Sequence, residues 1–199
     1  MDEQIQAFRQ MIADAERVVA FTGAGISTES GIPDFRGPQG LWKTIKPTDF
    51  GEFISSEEVR RESWRRKFAG GDRMAKAEPN AGHLAVAALY RMGKLTFVIT
   101  QNIDGLHQKA GVPDDHVIQL HGNANYATCL SCRKRFELEE VRAMFLPDET
   151  VPYCDQCGGI IKTATISFGQ PMPSDEMDRA ASAVAGRRRD GVVSRSAPM

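Results

Sequence analysis

The chain has 199 residues, with 25 Lys and Arg against 26 Asp and Glu, a net charge of −1, and 41% hydrophobic residues. That is globular composition, enough for one sizeable core or a domain with a small insert, and it leaves no electrostatic footprint for nucleic acid or an anionic membrane. Apolar stretches such as residues 95–100 are too short to span a bilayer, and Met1-Asp2-Glu3-Gln4 lacks the basic and apolar parts of a secretory signal, so a cytoplasmic protein is expected.

Residues 1–15 place Ile5, Phe8, Met11 and Ile12 at helical spacing. The run Arg17-Val18-Val19-Ala20-Phe21 is continuous and apolar, as a buried parallel strand requires, and it enters Thr22-Gly23-Ala24-Gly25-Ile26-Ser27. Residues 31–38 hold too much Gly and Pro for a regular element. A basic helix is expected over 55–69, with Val59, Trp64 and Phe68 turned inward, and an alanine-rich helix over 80–92. Strands follow over 94–100 and 116–120, the second leading into His121-Gly122-Asn123. Alternating strands and helices with short connectors imply an α/β fold with a parallel, doubly wound sheet.

A strand followed by Gly-x-Gly brings bare backbone against a pyrophosphate, although a ligand-free tight turn has the same sequence. Thr28 stands where a dehydrogenase fingerprint needs its third glycine, which disfavours a plain dehydrogenase. Gln101, Asn102 and Asp104 follow the second strand at its carboxyl end, the edge where open α/β sheets bind ligands. Two amides and a carboxylate suit ribose hydroxyls and a carboxamide, and Asp104 is also placed to cap the next helix. His121 ends a strand on the same edge, where an imidazole can take a proton from a hydroxyl. His83, His107 and His116 lack that convergence and read as helix or loop residues.

The four cysteines fall as Cys129-x-x-Cys132 and Cys154-x-x-Cys157. Two disulfides or a redox dithiol would use the same residues, but a dithiol motif needs no duplication. Paired knuckles at this spacing favour a structural zinc site within a small antiparallel ribbon, inserted at about residues 125–162.

Taken together, Gly23-Ala24-Gly25-Ile26-Ser27, Gly31-Ile32-Pro33-Asp34-Phe35-Arg36, Thr100-Gln101-Asn102-Ile103-Asp104, His121-Gly122 and the cysteines occur in the order found in sirtuins. From about residue 5 to 178 the chain resembles a bacterial NAD-dependent protein deacylase. The resemblance implies a Rossmann-like domain (residues 1–45, 80–124 and 163–186), a helical module (46–79) and a zinc ribbon (125–162). It implies that NAD lies against Gly23, Ala24, Gly25 and Ser27, beneath a flexible loop over 32–42 carrying Asp34, Phe35 and Arg36. Gln101, Asn102, Asp104 and His121 complete the cofactor site, and Asn102, Asp104 and His121 are the expected catalytic residues. His121 then acts as general base, so that an acyl group passes from lysine to ADP-ribose as nicotinamide leaves. Phe168-Gly169-Gln170-Pro171 resembles the segment that pairs with an acyl-lysine peptide, with Gln170 in place of the usual glutamate. Members specialised for succinyl or malonyl groups carry Tyr-x-x-Arg in the helical module, whereas Ser63-Trp64-Arg65-Arg66-Lys67 has no tyrosine, so acetyl is expected.

The resemblance ends after about residue 180. Ser174-Asp175-Glu176-Met177 opens a helix with a capping serine and an acidic first turn. Family members continue with an apolar strand and further sheet, whereas residues 186–199 are rich in Arg and Ser, and 187–199 are expected to be disordered. An incomplete sheet would bare on the order of 1,000 Å² of apolar surface, or at most ~25 kcal/mol. That rivals the whole stability of a domain, ~5–15 kcal/mol, so a marginal fold with weak NAD binding is expected. Two other readings share these residues: a non-catalytic remnant that keeps only the zinc ribbon, and a protein ADP-ribosyltransferase using the same NAD contacts.

Overall fold

The structure, a computed structural model, describes residues 2–35, 37, 40–43, 46–69 and 73–186. The expected disordered tail, 187–199, lies outside the described residues. Helix α1 (Asp2–Asp14) leads to strand β1 (Val18–Thr22) and then to a 3-10 helix, Ala24–Ser30, beginning within the Gly-x-Gly turn. The basic helix expected over 55–69 is preceded by a separate short one. Helices α2 (Phe50–Ser55) and α3 (Glu57–Ala69) meet at Ser56, whose backbone is extended. Asp49 starts α2 by accepting hydrogen bonds from the Gly51 and Glu52 N–H groups at 2.8 and 3.3 Å, satisfying donors a helix start leaves unpaired.

Next come α4 (Arg73–Lys76), α5 (Ala81–Arg91), β2 (Leu95–Thr100), α6 (Leu106–Lys109) and β3 (Val117–Gln119). Strands β1, β2 and β3 form a parallel sheet in that order, with Thr22 opposite Thr100 and Val98 opposite Val117. The strands are mostly apolar, and β2 and β3 are covered on both faces. Leu95, Val98 and Val117 pack with Ala87 of α5 on one face. Ile99, Ile118 and Leu120 pack on the other, against Ala183 of α8 (Ser174–Val184). Among the described residues β1 pairs only with β2. Phe21, with Ile5, Phe8 and Met11 of α1, is at least 50% exposed.

A second sheet is antiparallel, in the order β5 (Arg135–Glu137), β4 (Gly122–Cys129), β6 (Ile161–Thr165), with helix α7 (Leu138–Phe145) following β5. This sheet begins at Gly122 and ends at Thr165, a few residues beyond the expected limits on each side. Its core contains Ala127, Phe136, Val141, Phe145 and Ile161, together with Trp64 from α3. Phe68 stacks on Trp64 with ring centroids 5.6 Å apart. The helical module and the ribbon therefore share one core. The positive charge of α3 is largely paired, since Arg61, Arg65 and Arg66 meet Glu57, Glu58, Glu62 and Glu149.

One expectation fails at α8. Ser174 is already helical, Pro173 is the cap, and no side chain accepts a hydrogen bond from the first turn. A serine inside the helix cannot fold back onto the donors it precedes in a true cap. Asp175 and Glu176 occupy the first turn as expected.

Trp64 tests the shared core. It is 2% exposed, and its indole N–H is buried without a partner. Trp64→Ala should cost ~3–5 kcal/mol in urea unfolding. Trp64→Phe keeps an aromatic ring and removes the unpartnered N–H, and should cost less than Trp64→Ala.

Candidate functional site

The parallel strands all end on one edge, and the loops leaving them enclose a cavity of about 710 Å³. Ala24, Gly25, Asp34, Phe35, Gln101, Asn102, His121, Phe168 and Gly169 line it. Expected site residues from five separate stretches of sequence thus converge. Trp42 joins them, packed between Phe35 and Phe168 with ring centroids 5.5 and 5.1 Å away. The Gly37 N–H donates to Asp34 Oδ1 at 3.0 Å, which shapes the loop below. Arg36 lies outside the described residues.

His121 has a defined tautomer. Its Nδ1 lies 2.9 Å from the Gln101 carbonyl oxygen, which only accepts, so Nδ1 carries a proton and the neutral ring has its lone pair on Nε2. The next residue must be glycine: Gly122 has φ +73°, and a Cβ there would meet the Ala164 carbonyl at 1.9 Å.

Behind the cavity wall is a buried polar layer. Ser27 Oγ donates to Asp104 Oδ2 at 2.7 Å, and Asn102 Nδ2 donates to Ser27 Oγ and to the Gly23 carbonyl, both at 3.0 Å. The Leu106 N–H donates to Asp104 Oδ1 at 2.9 Å, so Asp104 supports the start of α6 as well as binding Ser27. Gly23, Ser27 and Asp104 therefore act from behind the wall rather than lining the cavity.

His83 and His107 correct the sequence reading. Both lie on helices, as expected, but both are fully buried and join this layer. The Asn80 N–H donates to His83 Nδ1 at 3.3 Å, which leaves Nε2 as the protonated nitrogen, 3.5 Å from Ser27 Oγ. His107 Nε2 lies 2.9 Å from Thr22 Oγ1, and the two imidazoles are 5.0 Å apart. Spacing conceals this convergence. The available signals were the capping Asn80, three residues before His83, and Asp104, three residues before His107. Burial lowers the pKa of both rings, His107 to about 4 with His83 adding to the effect. His116 stands apart, bonded through Nδ1 to the Thr96 carbonyl at 2.8 Å.

The sequence reading also missed much of the far wall, including Phe53, Ser63, Lys162, Thr163 and Met172. Lys162 is 3% exposed, and burial holds its ammonium group down to about 8. Nζ donates to the Thr165 carbonyl at 2.5 Å. A buried lysine gives no periodic signal.

The four cysteine sulfurs lie within 4.8 Å of one another. Cys129 and Cys157 are 3.5 Å apart and Cys132 and Cys154 3.6 Å, too far for disulfides. Tetrahedral zinc with Zn–S of ~2.3 Å needs sulfur–sulfur edges of about 3.8 Å, so the set fits that ion. Burial works against a thiolate at Cys129, yet backbone N–H groups of Cys132 and Ser131 and the neighbouring thiols draw it down to about 6.

Residues 23–193 match the sequence profile of the Sir2 family. This chain belongs to that family. It is 52% identical over 176 residues to the NAD-dependent protein deacetylase of Rhodopseudomonas palustris, covering 88% of this chain and 70% of that protein. The match to NAD-dependent protein deacetylase 1 of Bradyrhizobium diazoefficiens is also 52% identical, covering 88% and 69%. Among solved structures, a Sir2 protein with a deacetylated p53 peptide and 3′-O-acetyl ADP-ribose superposes with TM-score 0.78 and 37% identity, covering 90% of this chain and 71% of that one. This Sir2 chain thus has the family's Rossmann-like sheet and a cysteine cluster fitted for structural zinc.

Two measurements test the site. Removing one thiolate, as in Cys154→Ser, should abolish stoichiometric zinc by elemental analysis and lower the unfolding temperature, because Cys129 and Cys154 belong to the small-lobe core. The buried imidazoles set an acid limit. Unfolded histidine protonates near ~6.5, so between there and about 4 the unfolded chain binds more protons than folded His107. Stability is full above that window and should fall as pH drops through it, by up to ~3 kcal/mol from His107 alone. Urea midpoints of wild type and His107→Gln across that range isolate the imidazole from the zinc site, which also weakens in acid.

Proposed function

We propose that the chain is an NAD-dependent protein-lysine deacetylase, passing the acyl group to ADP-ribose and releasing nicotinamide. The observation that carries this reading is His121, held in one tautomer in the same cavity as Asn102 and the Phe168–Gly169 segment. NAD supplies the ribose carbon to which the acyl-lysine oxygen bonds as nicotinamide departs. His121 Nε2 would take the proton of a ribose hydroxyl, whose oxygen would bond to the acyl carbon, and with one water the acyl C–N bond breaks to free the lysine amine; the Gln101 carbonyl holds the ring through Nδ1. Such a base contributes ~10²–10⁴ in rate. Both amide hydrogens of Asn102 are committed to Gly23 and Ser27, so its oxygen remains to receive a hydroxyl from the ligand. Asp104 holds this arrangement from behind the wall through Ser27.

The substrate peptide belongs at Phe168 and Gly169. The Phe168 carbonyl already accepts from the Phe50 N–H at 2.8 Å, and the Gln170 N–H closes a turn onto Ser167 at 3.0 Å. The main-chain groups of Gly169 have no partner among the described residues and suit pairing with a peptide. Gln170 Oε1 accepts from the Ser167 N–H at 3.2 Å, a role a side-chain amide fills as well as a carboxylate. Ser63 lines the cavity, while Arg65 and Arg66 are turned to Glu62 and Glu149, so the helical module presents no cation from these positions to an acidic acyl group. That favours acetyl. No helix among the described residues is long and apolar enough to cross a membrane.

Nicotinamide release from NAD should depend on an acetyl-lysine peptide, and His121→Ala should abolish it without changing zinc content. Unchanged release by that variant, or none from folded, zinc-loaded wild type, would overturn the assignment.

A further inference from the structure

The buried layer contains a second chain of hydrogen bonds, which reaches the main chain of Asn102 where Ser27 holds its side chain. Thr22 and Thr100 end neighbouring parallel strands in direct register. Thr22 Oγ1 donates to Thr100 Oγ1 at 2.9 Å, and the Asn102 N–H donates to the same Thr100 oxygen at 3.0 Å. The Thr22 hydrogen is thereby used, so at the 2.9 Å contact with His107 its oxygen is the acceptor and Nε2–H the donor. His107 Nδ1 is then a buried lone pair with no partner. A solvent-inaccessible imidazole, 1% exposed and left with an unpaired nitrogen, is costly as packing alone. Its single directed contact leads through Thr22 to Thr100 Oγ1, the oxygen to which the Asn102 N–H also donates.

We propose that His107 is a positioning residue: through Thr22 and Thr100 it fixes the backbone of Asn102, and so the direction in which the Asn102 carboxamide oxygen meets the ligand. This rests on the NAD-site reading of the cavity. His107 does not line the cavity, and its hydrogen bonds reach Asn102 only through Thr22 and Thr100. It also stays neutral at working pH, its pKa near 4, so it serves as a fixed donor and exchanges no proton during turnover. The device differs from the Ser27 branch, which holds the Asn102 side chain, because this branch holds its main chain.

The test compares His107→Leu, which removes the donor, with His107→Gln, whose amide N–H can occupy the place of Nε2–H. Thr22→Val and Thr100→Val break the line further along and guard against a His107 variant that fails to fold. The first readout is residue-level hydrogen exchange of the Asn102 amide, with the Leu120 amide as control, because Leu120 bonds the Thr100 carbonyl rather than its hydroxyl. The second is calorimetric binding of NAD and of ADP-ribose.

In His107→Leu and both valine variants, Asn102 should exchange roughly tenfold faster with Leu120 unchanged, and dissociation constants should rise roughly three- to tenfold, the worth of one hydrogen bond. His107→Gln should restore both. The double variant His107→Leu/Thr100→Val should be no worse than either single, and the pH profile of nicotinamide release should be the same in His107→Gln as in wild type. Asn102 exchange unaffected by His107→Leu would overturn the proposal, as would failure of glutamine to rescue, or multiplicative losses in the double variant. If wild type binds neither nucleotide, the exchange data still decide the positioning of Asn102, and it is the NAD reading that falls.

Discussion

A carboxylate 7% exposed has to be satisfied by whatever the fold brings to it, and Asp104 finds the Ser27 hydroxyl and the Leu106 N–H. Leaving such a group buried without partners costs several kcal/mol, so the loop after β1 and the loop after β2 are drawn together. Ser27 has one hydrogen to donate, which goes to Asp104, and its oxygen accepts from Asn102 and faces His83 Nε2. One hydroxyl thus fixes the directions of an amide, a carboxylate and an imidazole. The cavity wall is the outer surface of that arrangement.

The ribbon is tied to the same site from the other lobe. Strands β4 and β6 run antiparallel, pairing Cys129 with Ile161 at one end and Gly122 with Thr165 at the other. The first end carries a zinc ligand. Just beyond the second, the Ile166 N–H donates to the His121 carbonyl at 2.9 Å. His121 is therefore held through its ring by the large domain and through its main chain by the ribbon, with Gly122 allowing the strand to leave at that angle. The pairing is irregular between Gly122 and Ala127, so the His121 end and the cysteine end of the sheet are joined through a break in the ladder.

What was legible in the sequence follows from which forces are local. Parallel strands covered on both faces are apolar without alternation, so β1, β2 and β3 could be read within a residue or two, and the polar groups after them marked the ligand edge. Paired Cys-x-x-Cys turns carry their geometry in their spacing. Asp49 and Ser56 were harder: a carboxylate cap and one extended residue divide a stretch whose composition is helical throughout. His83 and His107 were not legible, because each sits on its own short helix and they meet only through the crossing of those helices. Lys162 was hidden for a related reason, since a lysine on a short strand reads as solvent-facing unless the lobe packed over it is known.

The two buried imidazoles also bear on the electrostatics of the site. Desolvation disfavours the charged form of both rings, so the histidines nearest to Asp104 add little positive charge beside it. At low internal dielectric, an uncompensated carboxylate behind a cavity wall favours positive charge in front of it. On the proposed reading, NAD held in this cavity would bring such a charge with its nicotinamide group. Protonated histidines here would oppose that charge, whereas neutral ones supply directional hydrogen bonds and leave the field of Asp104 intact. The layer behind the cavity therefore joins two features in the same residues: hydrogen bonds that hold Asn102, and imidazoles in which burial disfavours charge.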